Sequence, residues 1–139
     1  MEVNIYTYTT AKGAKNKIVG FAYVIEAIIG GKPATVSKAG VLENVGKNEA
    51  EIRVFKEALE RVKMGNLVTL YTQSPFVAAV LREWLKGWIA RGTNSKGEPI
   101  DQIYKEIADL LVPRPTTVKE EPHEYLSWLR GEAERVKNG

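Results

Sequence analysis

The chain has 139 residues, of which 44% are hydrophobic and 27% charged, a length and composition that suit one compact domain over residues 1–139. Its net charge of +3 permits a polyanionic partner without requiring one. The absence of cysteine excludes disulfides, thiolate metal ligands and a cysteine nucleophile. No apolar run approaches the roughly 20 residues that span a bilayer, and the first ten residues lack a signal-peptide pattern. We therefore expect a cytoplasmic protein without a membrane partner.

The first third of the chain predicts three consecutive strands. Residues 3–9 alternate Val, Ile and Thr with Asn, Tyr and Tyr, as half-buried strands do. Two longer runs, 17–29 and 32–44, follow a lysine-containing loop at residues 11–17, the lysine loop, and are separated by Gly30-Gly31, a two-residue hairpin signal. Strands joined by such short connections pair antiparallel.

Helices and strands then alternate along the rest of the chain. The first helix is predicted from apolar residues at helical spacing, ending with Leu59 and Val62. The elements are predicted at about 48–63 (helix), 67–72 (strand), 75–83 and 83–90 (helical), 99–111 (helix), within 112–122 (short strand) and 123–137 (helix). Strands connected through helices pair parallel. The expected fold class is α/β, of the mixed α+β kind, with a five-stranded mixed sheet flanked by helices.

Four short motifs occur in order at the edges of these elements. Residues 5–10 read Ile-Tyr-Thr-Tyr-Thr-Thr and residues 48–51 read Asn-Glu-Ala-Glu. Residues 71–77 read Tyr-Thr-Gln-Ser-Pro-Phe-Val, and residues 84–92 contain Trp-x-x-x-Trp-x-x-Arg-Gly. Together they resemble ribonuclease H of the bacterial type I class over nearly the whole chain. The resemblance implies the RNase H-like fold named for that family.

The resemblance also implies a site at which clustered carboxylates hold two divalent metals. The family's first-strand and fourth-strand aspartates match Tyr8 and Gln73, and its last-helix aspartate falls at Ser127 or Trp128. Only the first-helix glutamate has a counterpart, Glu51. Magnesium prefers several anionic oxygen ligands, so we expect no metal site, no cofactor and no nuclease activity. Mg²⁺ or Mn²⁺ is expected only if the chain does cleave nucleic acid.

Four of the motif positions also have purely structural interpretations. Asn48 is a good helix N-cap, and Glu51 would complete a capping box with it. A hydrogen bond between Tyr8 and Gln73 would fill the space of the family's acids. These interpretations compete with a role for Glu51 as a retained metal ligand and for Asn48 as a nucleic-acid contact.

The lysine loop and the Trp/Arg motif are the candidate nucleic-acid-binding features. In the family the Trp/Arg region grips the substrate backbone, and aromatic rings stack on sugars or bases. The candidate residues are Lys12, Lys15, Lys47, Asn48, Trp84, Lys86, Trp88 and Arg91. The competing interpretation is that both tryptophans pack between helices as core residues.

We therefore predict an RNase H-like domain that binds RNA–DNA hybrid or duplex without cleaving it. One alternative is a structural or protein-interaction module with a protein partner or as a homodimer. A second is a metal-dependent ribonuclease H with relocated carboxylates drawn from Glu51, Glu120, Glu121 and Glu124. His123, the single histidine, lies near the family's mobile histidine, but its position at a helix start favours a surface or capping role.

Overall fold

A five-stranded mixed sheet with helices on both faces is the centre of the structure, a computed structural model that describes residues 1–139. The strands are β1 (Glu2–Thr9), β2 (Asn16–Ile29), β3 (Lys32–Val45), β4 (Leu67–Tyr71) and β5 (Thr116–Lys119). The helices are α1 (Lys47–Glu60), α2 (Pro75–Ala79), α3 (Leu85–Arg91), α4 (Gln102–Leu111) and α5 (Leu126–Asn138). A π-helical turn, Val80–Trp84, joins α2 to α3.

The strand order is β3-β2-β1-β4-β5, which confirms the predicted mixed sheet. The hairpin strands β1, β2 and β3 pair antiparallel, whereas β4 pairs parallel with β1 and with β5. Short turns can only reverse the chain, and the helical crossovers return it in the same direction. None of the helices combines the length and apolar character needed to cross a bilayer.

Alternating side chains of β1 divide the core between the two faces of the sheet. Val3 and Ile5 are buried in the larger cluster, which includes the apolar face of α1. Tyr6 belongs to a smaller cluster beneath α5, with Tyr8 packed against it. The period of two residues along a strand produces this division, and it places Tyr8 on the α5 side of the sheet.

Helix α1 begins earlier than predicted, so the expectation that Asn48 is its N-cap is wrong. Gly46 is the N-cap, and the Lys47 N–H donates to the carbonyl of Gly13 at 2.9 Å. A Cβ at position 46 would lie 2.6 Å from the Ala14 carbonyl oxygen, so the close approach of the loop requires glycine there. This tertiary contact sets the start of α1 and makes Asn48 its second residue.

Candidate nucleic-acid interface

The carboxyl ends of β1 and β4 and the first turns of α1 meet at one end of the sheet. Tyr6 and Tyr71 are register partners in the parallel pair, so Tyr8 and Gln73 both lie two residues beyond the same level. Glu51 reaches this region from α1 and accepts a hydrogen bond from the Thr72 hydroxyl. The three strand and helix positions singled out in the sequence therefore lie around one end of the sheet.

Thr72 anchors Glu51 and is a site residue that sequence reasoning missed. Its side chain is fully buried, and its oxygen also accepts a hydrogen bond from the Ser74 N–H at 3.1 Å. Because that oxygen accepts from the backbone, its own proton is free to go to Glu51. Ser74 in turn caps α2 by accepting from the Val77 N–H at 3.2 Å. The chain of bonds fixes the geometry of the strand-to-helix connection.

The pKa of Glu51 is unusually high for a carboxyl group. Burial raises its pKa to about 7, although the hydrogen bond from Thr72 and the positive charge of Lys47 act in the opposite direction. Near neutral pH the side chain is therefore divided between its charged and uncharged forms. The predicted capping box is wrong, because Gly46 is the N-cap and Glu51 bonds to Thr72, just after β4, rather than to the start of its own helix.

Tyr8 and Gln73 do not bond to each other, which corrects the expected pair. Gln73 is exposed and donates through Nε2 to the Glu121 carbonyl at 3.3 Å. Tyr8 instead lies beneath α5, where the Arg130 guanidinium carbon is 5.7 Å from its ring centroid. The two side chains diverge because β1 directs Tyr8 towards α5, whereas Gln73 lies after the end of β4 and beside the segment that follows β5.

The donor set at this end of the sheet does not fit a two-metal carboxylate centre. Ser127 and Trp128 are both exposed on the first turn of α5 and supply no carboxylate. No group of three His, Cys, Asp or Glu side chains is arranged to hold a metal ion. Of the acids considered as replacements, Glu120 pairs with an arginine at 3.0 Å and Glu121 with a lysine at 3.6 Å.

The lysine loop packs against the start of α1 and concentrates positive charge there. The Gly13 and Ala14 carbonyls contact the backbone around Gly46, which brings Lys12, Lys15 and Lys47 to one corner of the molecule. All three side chains are exposed and none forms an ion pair. Unpaired cations are available to bind phosphate groups.

An aromatic row follows the Thr72 connection along α2, the π turn and α3. Phe76 lies edge-to-face on Trp84 with ring centroids 5.9 Å apart, and Trp84 stacks on Trp88 at 6.1 Å. Trp88 is buried and donates its Nε1–H to Ser95 at 3.1 Å, whereas Phe76 and Trp84 remain about 40% exposed. The core interpretation is therefore correct for Trp88 and wrong for Trp84.

Phe76 is a second residue that sequence reasoning missed. It follows Pro75 in an apolar helical pattern, which is typical of core residues, and only the packing leaves its ring accessible. Lys86 and Arg91 are exposed on the adjoining helix α3 and take part in no ion pair. Accessible rings beside unpaired cations are the chemistry that single strands and sugar-phosphate backbones require.

A buried carboxylate, Glu26 on β2, holds the start of α5 against the sheet. It accepts hydrogen bonds from Tyr125 at 2.5 Å, Asn4 at 2.9 Å and Tyr6 at 3.1 Å. Burial acts to raise its pKa, but these three bonds outweigh burial and hold the pKa below the usual range. Burial lowers the pKa of His123, whose Nδ1 accepts from the Tyr125 N–H at 3.2 Å, so this imidazole is a packed, neutral group.

Comparisons with known proteins agree on one family. The family model described as RNase H matches residues 1–134. Ribonuclease H from Cupriavidus necator is 31% identical over 137 residues, covering 94% of this chain and 83% of that protein. The crystal structure of LC9-RNase H1, described as a type 1 RNase H with the type 2 active-site motif, has a TM-score of 0.77 at 15% identity and covers 99% of this chain and 72% of that chain. LC11-RNase H1 in complex with RNA/DNA hybrid has a TM-score of 0.69 at 18% identity and covers 98% of this chain and 96% of that chain.

Proposed function

The chain belongs to the ribonuclease H family, and from that premise we propose that it binds RNA–DNA hybrid or duplex without cleaving it by the two-metal reaction. The observation that carries this proposal is that, of the positions matching the family's acids, only Glu51 has a carboxylate, while Tyr8 and Gln73 lie at the same end of the sheet. Two-metal hydrolysis needs several anionic ligands to hold and balance both cations. One carboxylate with a pKa near 7 supplies at most one charge.

The low negative charge around Tyr8, Glu51 and Gln73 affects how nucleic acid binds. A cluster of ionised carboxylates repels a phosphate backbone unless metal ions neutralise it. Tyr8 and Gln73 carry no such charge, and Glu51 is partly protonated at neutral pH. The backbone therefore approaches this end of the sheet without a metal bridge, and binding is expected to be insensitive to EDTA.

A continuous path of suitable groups supports the binding surface. It starts at the lysine corner beside α1, passes the Glu51–Thr72 hydrogen bond and reaches Phe76 in the first turn of α2, four residues further along the chain. From there the aromatic row leads to Lys86 and Arg91 on α3. The lysines and Arg91 contact phosphates, and the exposed rings stack on sugars or bases. LC11-RNase H1, whose fold this chain shares, was solved with an RNA/DNA hybrid.

The test follows binding and cleavage of a labelled RNA–DNA hybrid in the same samples, with Mg²⁺, with Mn²⁺ and with EDTA, at several salt concentrations. Binding that weakens steeply with salt, is unchanged by EDTA and leaves the hybrid intact is the expected result. Lys86→Gln is expected to lower the slope of log affinity against log salt by about 0.9. Lys105→Gln, at a lysine that is also exposed but lies on α4, is the matched control. Absence of binding would favour the protein-interaction alternative.

Metal-dependent cleavage is the second candidate, favoured by the 31% identical relative named Ribonuclease H. Its discriminating variant is Glu51→Gln, because Glu51 is the one carboxylate at a position that matches the family's acids. Turnover in Mg²⁺ or Mn²⁺ that Glu51→Gln abolishes would refute the non-cleaving proposal. Cleavage that survives Glu51→Gln at the wild-type rate but is lost in Glu120→Gln, Glu121→Gln or Glu124→Gln would equally refute the proposal, and cleavage unchanged by all four substitutions would indicate a contaminating nuclease.

A further inference from the structure

Strand β3 forms one edge of the sheet over 14 residues, and no other element of the chain pairs with its outer side. The opposite edge, β5, has only four residues and is covered, since the Arg82 guanidinium donates to the Val118 carbonyl at 2.7 Å. Helices α1 and α5 pack chiefly over β1 and β2 and leave the β3 edge open. A long open edge presents a row of unpaired N–H and C=O groups, which is a template for another strand.

The β2–β3 hairpin determines which backbone N–H and C=O groups of β3 point away from β2. Its loop is Gly30-Gly31, with positive φ at both residues, so Ile29 and Lys32 form the hydrogen-bonded closing pair. Hydrogen-bonded and non-hydrogen-bonded pairs alternate in an antiparallel ladder. Even-numbered residues of β3 therefore bond to β2, and odd-numbered residues direct their N–H and C=O outward. Pro33 is consistent with this pattern, because it is odd-numbered and has no N–H to offer β2.

The outward N–H groups of β3 lie in a segment with a defined end on each side. Pro33 ends it on one side, and Asn44, with φ of 52°, interrupts the extended backbone on the other. The free N–H groups run from Thr35 to Glu43, and Ala39 is their midpoint. We infer that β3 pairs antiparallel with β3 of a second copy of this chain, with the two-fold axis at Ala39. The two five-stranded sheets then form one continuous sheet.

The side chains suit this register. Val36, 48% exposed, lies opposite the partner's Leu42, and Lys38 lies opposite the partner's Gly40. The Lys38 ammonium is 2.7 Å from Glu57 of its own chain, so its charge is already balanced. No residue faces a like charge directly. Moving the axis by one residue to Lys38 would set two lysines against each other, which disfavours that register.

The β3–β3 contact is small, which indicates a weak dimer. Nine paired residues span about 30 Å, so the contact belongs with the small and weak interfaces. The dimer is therefore expected to dissociate in the micromolar range. Such an isologous contact closes at two copies and does not propagate. The pairing does not depend on nucleic-acid binding or on cleavage.

Sedimentation velocity over roughly 1 to 300 μM protein tests the pairing, and a reversible monomer–dimer equilibrium is the expected result. Ser37→Pro removes an outward N–H without touching the ladder to β2, and Val36→Lys sets a cation against the partner's Leu42. Each is expected to weaken the dimer at least tenfold. Val112→Lys, on a residue that is 72% exposed far from β3, is the control and leaves it unchanged. Circular dichroism confirms that each variant is folded.

Amide hydrogen exchange provides a readout that a general loss of stability would not reproduce. The N–H groups of residues 35, 37, 39, 41 and 43 are expected to gain protection as protein concentration rises. Those of residues 36, 38, 40 and 42 are protected at every concentration by β2. A protein that stays monomeric at 300 μM with unprotected odd-numbered amides would overturn the inference and leave the edge to a strand from another protein. A dimer unaffected by both β3 variants would overturn it equally.

Discussion

Glu51→Gln is expected to stabilise the protein at alkaline pH and to have a much smaller effect in acid. Burial raises the pKa of Glu51 from an ordinary value of 4.5 to about 7. At roughly 1.4 kcal/mol per pH unit, this difference corresponds to about 3 kcal/mol between the two ionisation states. A neutral amide at position 51 does not ionise, so the folded protein avoids this free-energy cost.

The direction follows from proton linkage. Below pH 4.5 the side chain is protonated in both the folded and the unfolded states, so ionisation costs nothing. Between pH 4.5 and 7 the unfolded state loses its proton first, and the free energy of unfolding falls as pH rises. Above pH 7 the full cost of about 3 kcal/mol is present, so Glu51→Gln is expected to remove up to that amount.

Urea unfolding monitored by tryptophan fluorescence at pH 4, 6 and 8 measures the effect. The quantity to compare is the stability difference between Glu51→Gln and wild type at each pH. Any pH-independent cost of fitting the amide NH₂ against Thr72 cancels in that comparison. Glu49→Gln, which removes a surface ion pair with Arg53 at 3.5 Å, is the control. It is expected to change the free energy of unfolding by less than about 0.5 kcal/mol. A stability difference for Glu51→Gln that is constant with pH would refute a raised pKa.

Three further substitutions separate packing from binding. Trp88→Ala is expected to cost about 3–5 kcal/mol in urea unfolding, because the ring is buried, and a cost below 1 kcal/mol would contradict its place in the core. Trp84→Ala is expected to cost much less stability but to weaken hybrid binding roughly tenfold in a titration, and unchanged affinity would remove Trp84 from the interface. Tyr125→Phe removes a hydrogen bond to Glu26 and is expected to cost about 1–3 kcal/mol. Since this bond helps to lower the Glu26 pKa from its ordinary value of 4.5, the cost is expected at pH 7 and declines as pH falls below 4.5 and Glu26 takes up its proton, which unfolding measured across that range checks.

The order of strands and helices was predictable because hydrophobic periodicity is a local property of the chain. Alternation identified β1, helical spacing identified α1, and the diglycine identified the β2–β3 hairpin. The resemblance to ribonuclease H implied that Tyr8, Glu51 and Gln73 meet at one end of the sheet, and the parallel pairing of β1 with β4 brings Tyr8 and Gln73 there.

Other features depend on contacts between distant parts of the chain, which no local pattern encodes. The lysine loop determined where α1 starts, so Glu51 bonds to Thr72 rather than capping its own helix. The same helical segment buries Trp88 and exposes Trp84, because only one of them faces the core.

The sequence by itself determined which side chains occupy the positions of the family's acids, since side-chain chemistry at a motif position needs no coordinates. Only the tertiary structure decided its electrostatics, because burial raises the pKa of Glu51 and burial depends on the whole fold. Likewise, Glu26 joins β2 to Tyr125, 99 positions away, through a bond that exists only once the sheet and α5 have come together. The open β3 edge depends on both sequence and tertiary structure. The turn residues determine which amides of β3 face outward, and the strand order leaves those amides without a partner.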